Sequence, residues 1–301
     1  MTTGVIFPAF ASEFKGSEQQ ILLVYGDEFQ TLLKEASDKS GIVLYDFDLQ
    51  KNNFLHDELK LQYISYIFSC LVADVITKKG LNPTLISGYS MGIYSAMYYC
   101  GSVTFYEGLL LIKHAWDTIS EITRGSEFGM GMIIGLDEND LEVFINKFGG
   151  AEICNRNNPY TYIISGYRSA IGRILEAAAN EGAMRTSVLP VSQPYHSQWL
   201  KPAEPVFEER IADICFKKPL YRYISSLDQR SIIGAEDLKT EVVSNLSSRM
   251  NWYATMKMLI ESGSRIVFEC GIGDGLTRNA RFIEGDFKAL PVAGIESLFM
   301  P

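Results

Sequence analysis

The chain has 301 residues, 47% of them apolar and 21% charged, with 27 Lys and Arg against 36 Asp and Glu, a formal net charge of −9. This is a globular composition, long enough for a fully buried core and for about two folding units, or for one large α/β domain with an insertion; it excludes disordered and fibrous classes. A net acidic surface with no basic block longer than Lys217-Lys218 also excludes a general affinity for nucleic acid.

The amino terminus, Met1-Thr-Thr-Gly-Val-Ile-Phe-Pro8, has no basic region, and the longest apolar stretch, around Tyr63 to Ile76, is interrupted by Ser65, Ser69 and Asp74. Neither a signal peptide nor a transmembrane helix is expected, so no membrane partner and a cytoplasmic location are expected. Gly4 to Phe7 reads as a buried strand stopped by Pro8. Apolar residues recur at helical spacing from Asp57 to about Lys79, where Gly80 ends the helix. Thr84 to Ser87 reads as a second buried strand, followed by a helix from Gly92 to about Cys100 and another from about Phe105 to Ile122.

The middle of the chain has another rhythm. Strands are expected at Met130–Ile134, Glu152–Asn155, Tyr160–Ser165 and Met184–Leu189, with helices at Glu138–Phe148 and Ser169–Asn180. That β-α-β-β-α-β order is the split βαβ arrangement, within roughly 60 residues. The expected fold class is therefore α/β: a large, α/β hydrolase-like domain with a mainly parallel sheet, formed by 1–125 and 192–301, and an inserted ferredoxin-like subdomain at 126–191. The cleft between them is the expected ligand site. Two further strands are expected after His196, one of them Arg265–Cys270, ending in Gly271-Ile-Gly273-Asp-Gly275.

Cys70, Cys100, Cys154, Cys215 and Cys270 are widely spaced, lack CxxC pairing and sit in apolar surroundings. They read as buried thiols in a reducing compartment. None of His56, His114 and His196 adjoins a cysteine, and no metal site is expected.

Gly88-Tyr89-Ser90-Met91-Gly92 is a G-x-S-x-G motif between an expected strand and an expected helix, the context in which it makes a nucleophile elbow. The glycines permit a tight turn that lifts Ser90 Oγ above the sheet, and the Met91 N–H at the helix start can point at a developing oxyanion. The alternative is a tight turn carrying an incidental serine. A serine nucleophile needs a base. His56 lies in a polar loop and His114 within a helix near Lys113, so each reads as a surface or boundary residue. His196, in Pro190-Val-Ser-Gln-Pro194-Tyr195-His196, falls where the chain leaves the inserted subdomain, in a loop stiffened by Pro194. The α/β-hydrolase chain order of serine, acid and late histidine does not fit, so a Ser–His dyad is expected in place of a triad.

The motifs Phe7-Pro8, Gly88-Tyr-Ser90-Met-Gly92, Asn155-Arg-Asn-Asn158-Pro159, Pro190-Val-Ser-Gln-Pro-Tyr-His196 and Glu269-Cys-Gly271-Ile-Gly273 occur in the order seen in the malonyl-CoA:acyl-carrier-protein transacylase family, which the chain resembles from about Val5 to Ile295. The resemblance implies a stand-alone acyltransferase of fatty acid or polyketide synthesis. Ser90 would attack an acyl thioester, with His196 as general base and backbone amides of Met91 and Phe10 as oxyanion hole. A carbonyl of Asn245 would orient the histidine. No permanently bound cofactor is implied; the substrate carrier is a phosphopantetheine thioester of coenzyme A or acyl carrier protein.

The chain departs from the family pattern in several places. Phe7-Pro-Ala9-Phe10-Ala11 replaces F-P-G-Q-G, Tyr89 replaces a histidine, and Tyr195 occupies the position before the catalytic histidine that often tracks acyl preference. The arginine that pairs with the malonyl carboxylate maps, counting without gaps, to Ala115. Lys113 cannot replace it, because two residues turn a helix by about 200°, and His114 is about 100° away. The expected substrate is therefore an acyl group other than malonyl. Transferase, editing acyl hydrolase and non-catalytic carrier-binding module remain open. The expected partners are acyl carrier protein and acyl-CoA, with a monomeric state. Arg168, Arg173, Lys201, Lys217 and Lys218 are candidates for docking an acidic carrier.

Overall fold

The computed structural model describes residues 2–10, 17–48, 56–292 and 295. The chain begins with β1 (Thr2–Phe7), α1 (Ser17–Ser40), α2 (Glu58–Lys78), β2 (Leu85–Gly88), α3 (Gly92–Tyr99) and α4 (Phe105–Ile122). A separate run follows: β3 (Phe128–Ile134), α5 (Glu138–Phe148), β4 (Ala151–Asn158), β5 (Thr161–Tyr167), α6 (Arg168–Asn180) and β6 (Arg185–Val188). The chain then returns through α7 (Ala203–Arg210), β7 (Arg222–Ile224), β8 (Ser231–Ile232), α8 (Ala235–Ser244), α9 (Trp252–Glu261), β9 (Ser264–Glu269), α10 (Gly275–Ala280) and β10 (Lys288–Pro291).

The larger sheet has the order β10-β9-β1-β2-β7-β8 and is parallel except for the final β7–β8 pair. At its centre Val5, Ile6 and Phe7 are fully buried, as expected of a parallel strand covered on both faces. The smaller sheet, β4-β5-β3-β6, is antiparallel throughout, and with α5 and α6 it makes the split βαβ unit read from the sequence. The smaller sheet is tied to the larger unit where Met250, in the segment before α9, donates its N–H to the Cys154 carbonyl of β4 at 2.9 Å, in an isolated parallel bridge between Asn155 and Met250.

Helix α2 is the core of the larger unit. By length and composition it could cross a membrane, but 83% of its most apolar window is buried inside the fold. Asp57 caps it by accepting from the Lys60 N–H at 3.0 Å. Helix α4 starts in a capping box formed by Thr104 and Glu107. The two helices pack closely at Gly108, where a Cβ would lie 2.0 Å from the Tyr66 hydroxyl. That hydroxyl donates to the Phe105 carbonyl at 3.0 Å.

Three expectations need correction. Four strands follow His196, not two; β7 and β8 have three and two residues, too short to display a period. Helices α1, α8 and α9 were not read from the sequence; α8 carries Glu236, Asp237, Lys239 and Glu241 in ten residues and hides its apolar face among them. Cys215 is exposed, whereas the other four cysteines are buried as expected.

The packing can be tested at two glycines. A Cβ on Gly92 would lie 2.1 Å from the Phe7 carbonyl oxygen, whereas one on Gly172, exposed on α6, would meet nothing within 4 Å. Gly92→Ala is expected to destabilise the protein by about 1–3 kcal/mol or more, because main chain must move. Gly172→Ala is expected to stabilise it by roughly 0.5–1 kcal/mol through the unfolded chain and helix propensity. Urea denaturation of both variants checks this, and a Gly92→Ala protein as stable as its parent would contradict the packing.

Candidate active site

The turn between β2 and α3 is built by close approach. A Cβ on Gly88 would lie 2.4 Å from both the N and Cα of Ile93, so neither glycine of the motif tolerates a side chain without backbone movement. Tyr89 donates its N–H to the Phe7 carbonyl at 2.8 Å, tying the turn to β1. Between the glycines Ser90 adopts φ +54°, a left-handed conformation that non-glycine residues seldom take. The amides of Gly92, Ile93 and Tyr94 bond back to the carbonyls of Tyr89, Ser90 and Met91, and the Met91 N–H stands outside that series at the helix start.

His196 arrives from the opposite side and is 4% exposed. It too has a left-handed backbone, φ +59°, held by its N–H donating to the Leu246 carbonyl at 2.8 Å. Its Nε2 lies 2.7 Å from Ser90 Oγ, across a sequence separation of 106 residues. Burial lowers the imidazole pKa to about 4, opposed by nearby main-chain groups of Asn245 and Ser248. The ring is therefore neutral at pH 7, with Nε2 able to accept the serine proton.

Asn245 is at the site, with its main-chain carbonyl beside the His196 ring. Its carbonyl favours the protonated ring from nearby, yet the buried Nδ1 of His196 closes no well-formed hydrogen bond among the described residues. The Asn245 side-chain amide instead reaches the Ser90 carbonyl at 3.4 Å.

Two cavities meet at Ser90 and His196. The smaller, about 30 Å³, is lined on its inner side by Met91, Tyr94, Ala115, Trp116 and Ile119. The larger, about 180 Å³, lies between the sheets against Tyr89, Met130, Asn155, Ile163 and Leu189. Phe10 and Tyr195 line both, and no Lys, Arg, Asp or Glu lines either one among the described residues. The expected pocket residues Ala115, Tyr89 and Tyr195 are thus brought together with Ser90 and His196, as are Phe10 and Met91. Ala11 lies outside the described residues.

The other candidates are elsewhere. Lys113 points away from the small cavity and pairs with Asp117 at 2.5 Å. His114 is half-buried and lines neither cavity, and His56 is exposed at an outer groove of about 920 Å³ that shares Leu189, Pro190 and Val191 with the larger cavity. Of the docking candidates only Arg168 lines that groove. Arg173 lies over the Phe148 ring, Lys201 pairs with Glu204, and Lys217 and Lys218 are exposed away from it.

Sequence reasoning missed Gln62, Trp116 and the part played by Asn155. Gln62, a buried polar residue in the long, largely buried helix α2, carried a signal that could have been used. Asn155 donates to the Tyr89 hydroxyl at 2.9 Å and accepts the Trp252 N–H at 3.2 Å, so it pins the residue preceding Ser90. The Tyr89 ring also stands edge-on to Trp252, with centroids 5.2 Å apart.

The chain is similar to several known proteins along most of its length. The malonyl CoA-acyl carrier protein transacylase of Synechocystis is 27% identical over 212 residues, 70% of each chain. That of Haemophilus influenzae is 26% identical over 302 residues, covering 97% of this chain and 96% of its own. A solved malonyl-transacylase in complex with its type II PKS acyl-carrier protein, PlMCAT:AntF, superposes with a TM-score of 0.89 at 25% identity, covering 99% of this chain and 98% of that one. The family described as the acyl transferase domain matches residues 58–272, more than two thirds of the length. The chain belongs to the acyl transferase domain family.

Proposed function

We propose that this acyltransferase moves an uncharged acyl group, not malonyl, between coenzyme A and acyl-carrier-protein thioesters through an acyl-Ser90 intermediate. The observation that carries the reading is the 2.7 Å contact between Ser90 Oγ and His196 Nε2 at the meeting point of two cavities that no charged side chain lines. Residues 1–125 and 192–301 form the catalytic unit in this reading, and 126–191 form the subdomain that closes the cleft over it.

Ser90 gives its proton to His196 as its oxygen attacks the thioester carbon. The negative charge on the former carbonyl oxygen is met by the Met91 and Phe10 amides. When the tetrahedral intermediate collapses, the C–S bond breaks and His196 returns the proton to the departing thiolate. A second phosphopantetheine thiol then reverses these steps and leaves with the acyl group. Acyl carrier protein as partner is supported by the related enzyme solved with its own carrier. A second reading, hydrolysis, replaces the accepting thiol with water. It is favoured by the larger cavity lying directly beside the outer groove, with Leu189, Pro190 and Val191 lining both, so that water has a short way to Ser90.

A malonyl carboxylate in the Ala115 cavity would find no cation. Forgoing a buried, hydrogen-bonded ion pair costs about 2–5 kcal/mol, or roughly 30- to several-thousand-fold in relative rate. Lys113 cannot compensate from its pairing with Asp117.

Intact-protein mass spectrometry after incubation with an acetyl thioester should show an adduct that Ser90→Ala abolishes and that His196→Ala slows by about 10²–10⁴-fold. Unchanged turnover in Ser90→Ala would overturn the reading. An adduct stable until carrier thiol is added marks a transferase; rapid loss without it marks a hydrolase.

Because only the neutral imidazole accepts the proton and burial depresses its pKa to about 4, acylation under limiting substrate should be level from pH 8 to pH 5 and fall below that. A falling limb at pH 6.5 or higher would contradict a desolvated base. Ala115→Arg should raise the malonyl-to-acetyl rate ratio, less than the full factor because Trp116 and Tyr195 crowd the new side chain. A parent protein that already prefers malonyl would refute the account of the pocket.

A further inference from the structure

The loop that carries His196 is tied to α2 by a single carboxylate. Glu58 Oε2 accepts the Ser192 N–H at 2.9 Å and the Ser192 O–H at 2.8 Å, while Oε1 accepts the Tyr195 O–H at 2.8 Å. Gln62, one helical turn further on and so on the same face, donates from Nε2 to the Tyr195 oxygen at 3.0 Å. Burial, reinforced by the Glu58 carboxylate, holds the Tyr195 phenol well above its ordinary pKa, so it remains a donor. A hydrogen bond to a carboxylate is roughly twice as strong as a neutral one.

The ring so held stands at a junction. Tyr195 lines both cavities and packs against the main core as well as the Met130, Cys154 and Ile163 cluster under the small sheet. Of the two spaces beside Ser90, only the smaller is lined by Met91, whose amide is the oxyanion donor in the reading above. The larger shares its walls with the outer groove. The acyl tail therefore lies in the smaller cavity and the thiol arm in the larger. A volume of about 30 Å³ holds about two water-sized groups, a tail of one or two carbons beyond the carbonyl.

We propose that Glu58 and Gln62 are positioning residues that pin Tyr195 across the junction of the two cavities and so restrict the acyl group to two or three carbons. This rests on the acyl-Ser90 reading above. Neither residue touches the reacting atoms. They act through the place where Tyr195 is held, and a longer tail enters only when the ring is released or removed.

The test is the ratio of acylation rates for acetyl and hexanoyl thioesters, read as Ser90 adduct by intact mass. The parent should favour acetyl on the order of 100-fold, since one misfitting methylene is worth about 10- to 200-fold. Tyr195→Ala should lower the ratio at least about tenfold, and Glu58→Ala about three- to tenfold by letting the ring move. Glu58→Gln, whose carbonyl still accepts the Tyr195 O–H, should restore most of the parent ratio. In the Tyr195→Ala background Glu58→Ala should add nothing to the ratio, a coupling that loss of fold stability alone would not produce. Tyr195→Phe keeps the ring volume and covers the case in which alanine disrupts folding; it should lower the ratio by about threefold.

A parent that acylates equally with both thioesters overturns the proposal, as does an unchanged ratio in Glu58→Ala or Tyr195→Ala with the adduct still formed. No adduct from either thioester would instead overturn the nucleophile assignment, and this inference with it.

Discussion

The closeness of α3 to β1 governs this molecule. Gly92 has no side chain, and its main chain sits against the Phe7 carbonyl where a Cβ would overlap it. That contact forces the strand–helix turn into so few residues that Ser90 must take a left-handed conformation. It also places the end of β1, and hence Phe10, next to the start of α3, so that Phe10, Ser90 and Met91 belong to one rigid corner. His196 needs the same sort of compulsion from the other side, and receives it from a loop fastened at Leu246 and Glu58. Two strained backbones facing each other at hydrogen-bond distance are maintained only because dense packing over-determines both.

How far the site was legible depends on where each residue's meaning resides. Ser90 and His196 could be read because each lies in a local pattern that carries its own geometry, a glycine-bounded turn and a proline-stiffened loop. Ala115 could be read because the resemblance places it by a gap-free count from Ser90, and helical spacing then sets Lys113 and His114 apart from it. Glu58 and Trp116 could not, since nothing in their neighbours along the chain says that α2 and α4 will turn those faces toward the histidine loop. The fold shows the same division. The split βαβ unit announced itself through long alternating segments, whereas β7 and β8 were too short for a period and α8 masked its apolar side with charge. Asn245 illustrates a third case: its position at the site followed from the resemblance, but which of its atoms does the bonding is decided by side-chain packing that no motif encodes.

Charge is distributed with the same economy. The chain carries an excess of nine negative charges, yet none reaches the two cavities at the dyad among the described residues. Instead Glu58 sits just behind the wall, spent on Ser192 and Tyr195. Keeping carboxylates out of the cavities sustains the depressed imidazole of His196, because a nearby anion would favour its protonated form.

The order of strands in the larger sheet has a consequence for how the chain reaches this state. Helix α2, apolar enough to be mistaken for a membrane span, is flanked by α1, α3 and α4, all encoded within the first 122 residues, so its cover is available early in synthesis. The central strand β1 has no such early partner on one side. Its neighbour there is β9, which follows more than 250 residues later. During translation β1 therefore waits with one edge unpaired while the small sheet is made and docks, and the sheet closes only when nearly the whole chain has emerged. The corner around Ser90 is encoded within the first hundred residues, but the sheet that holds it gains β9 and β10 only at the end, which leaves the half-made chain exposed to wrong strand pairing.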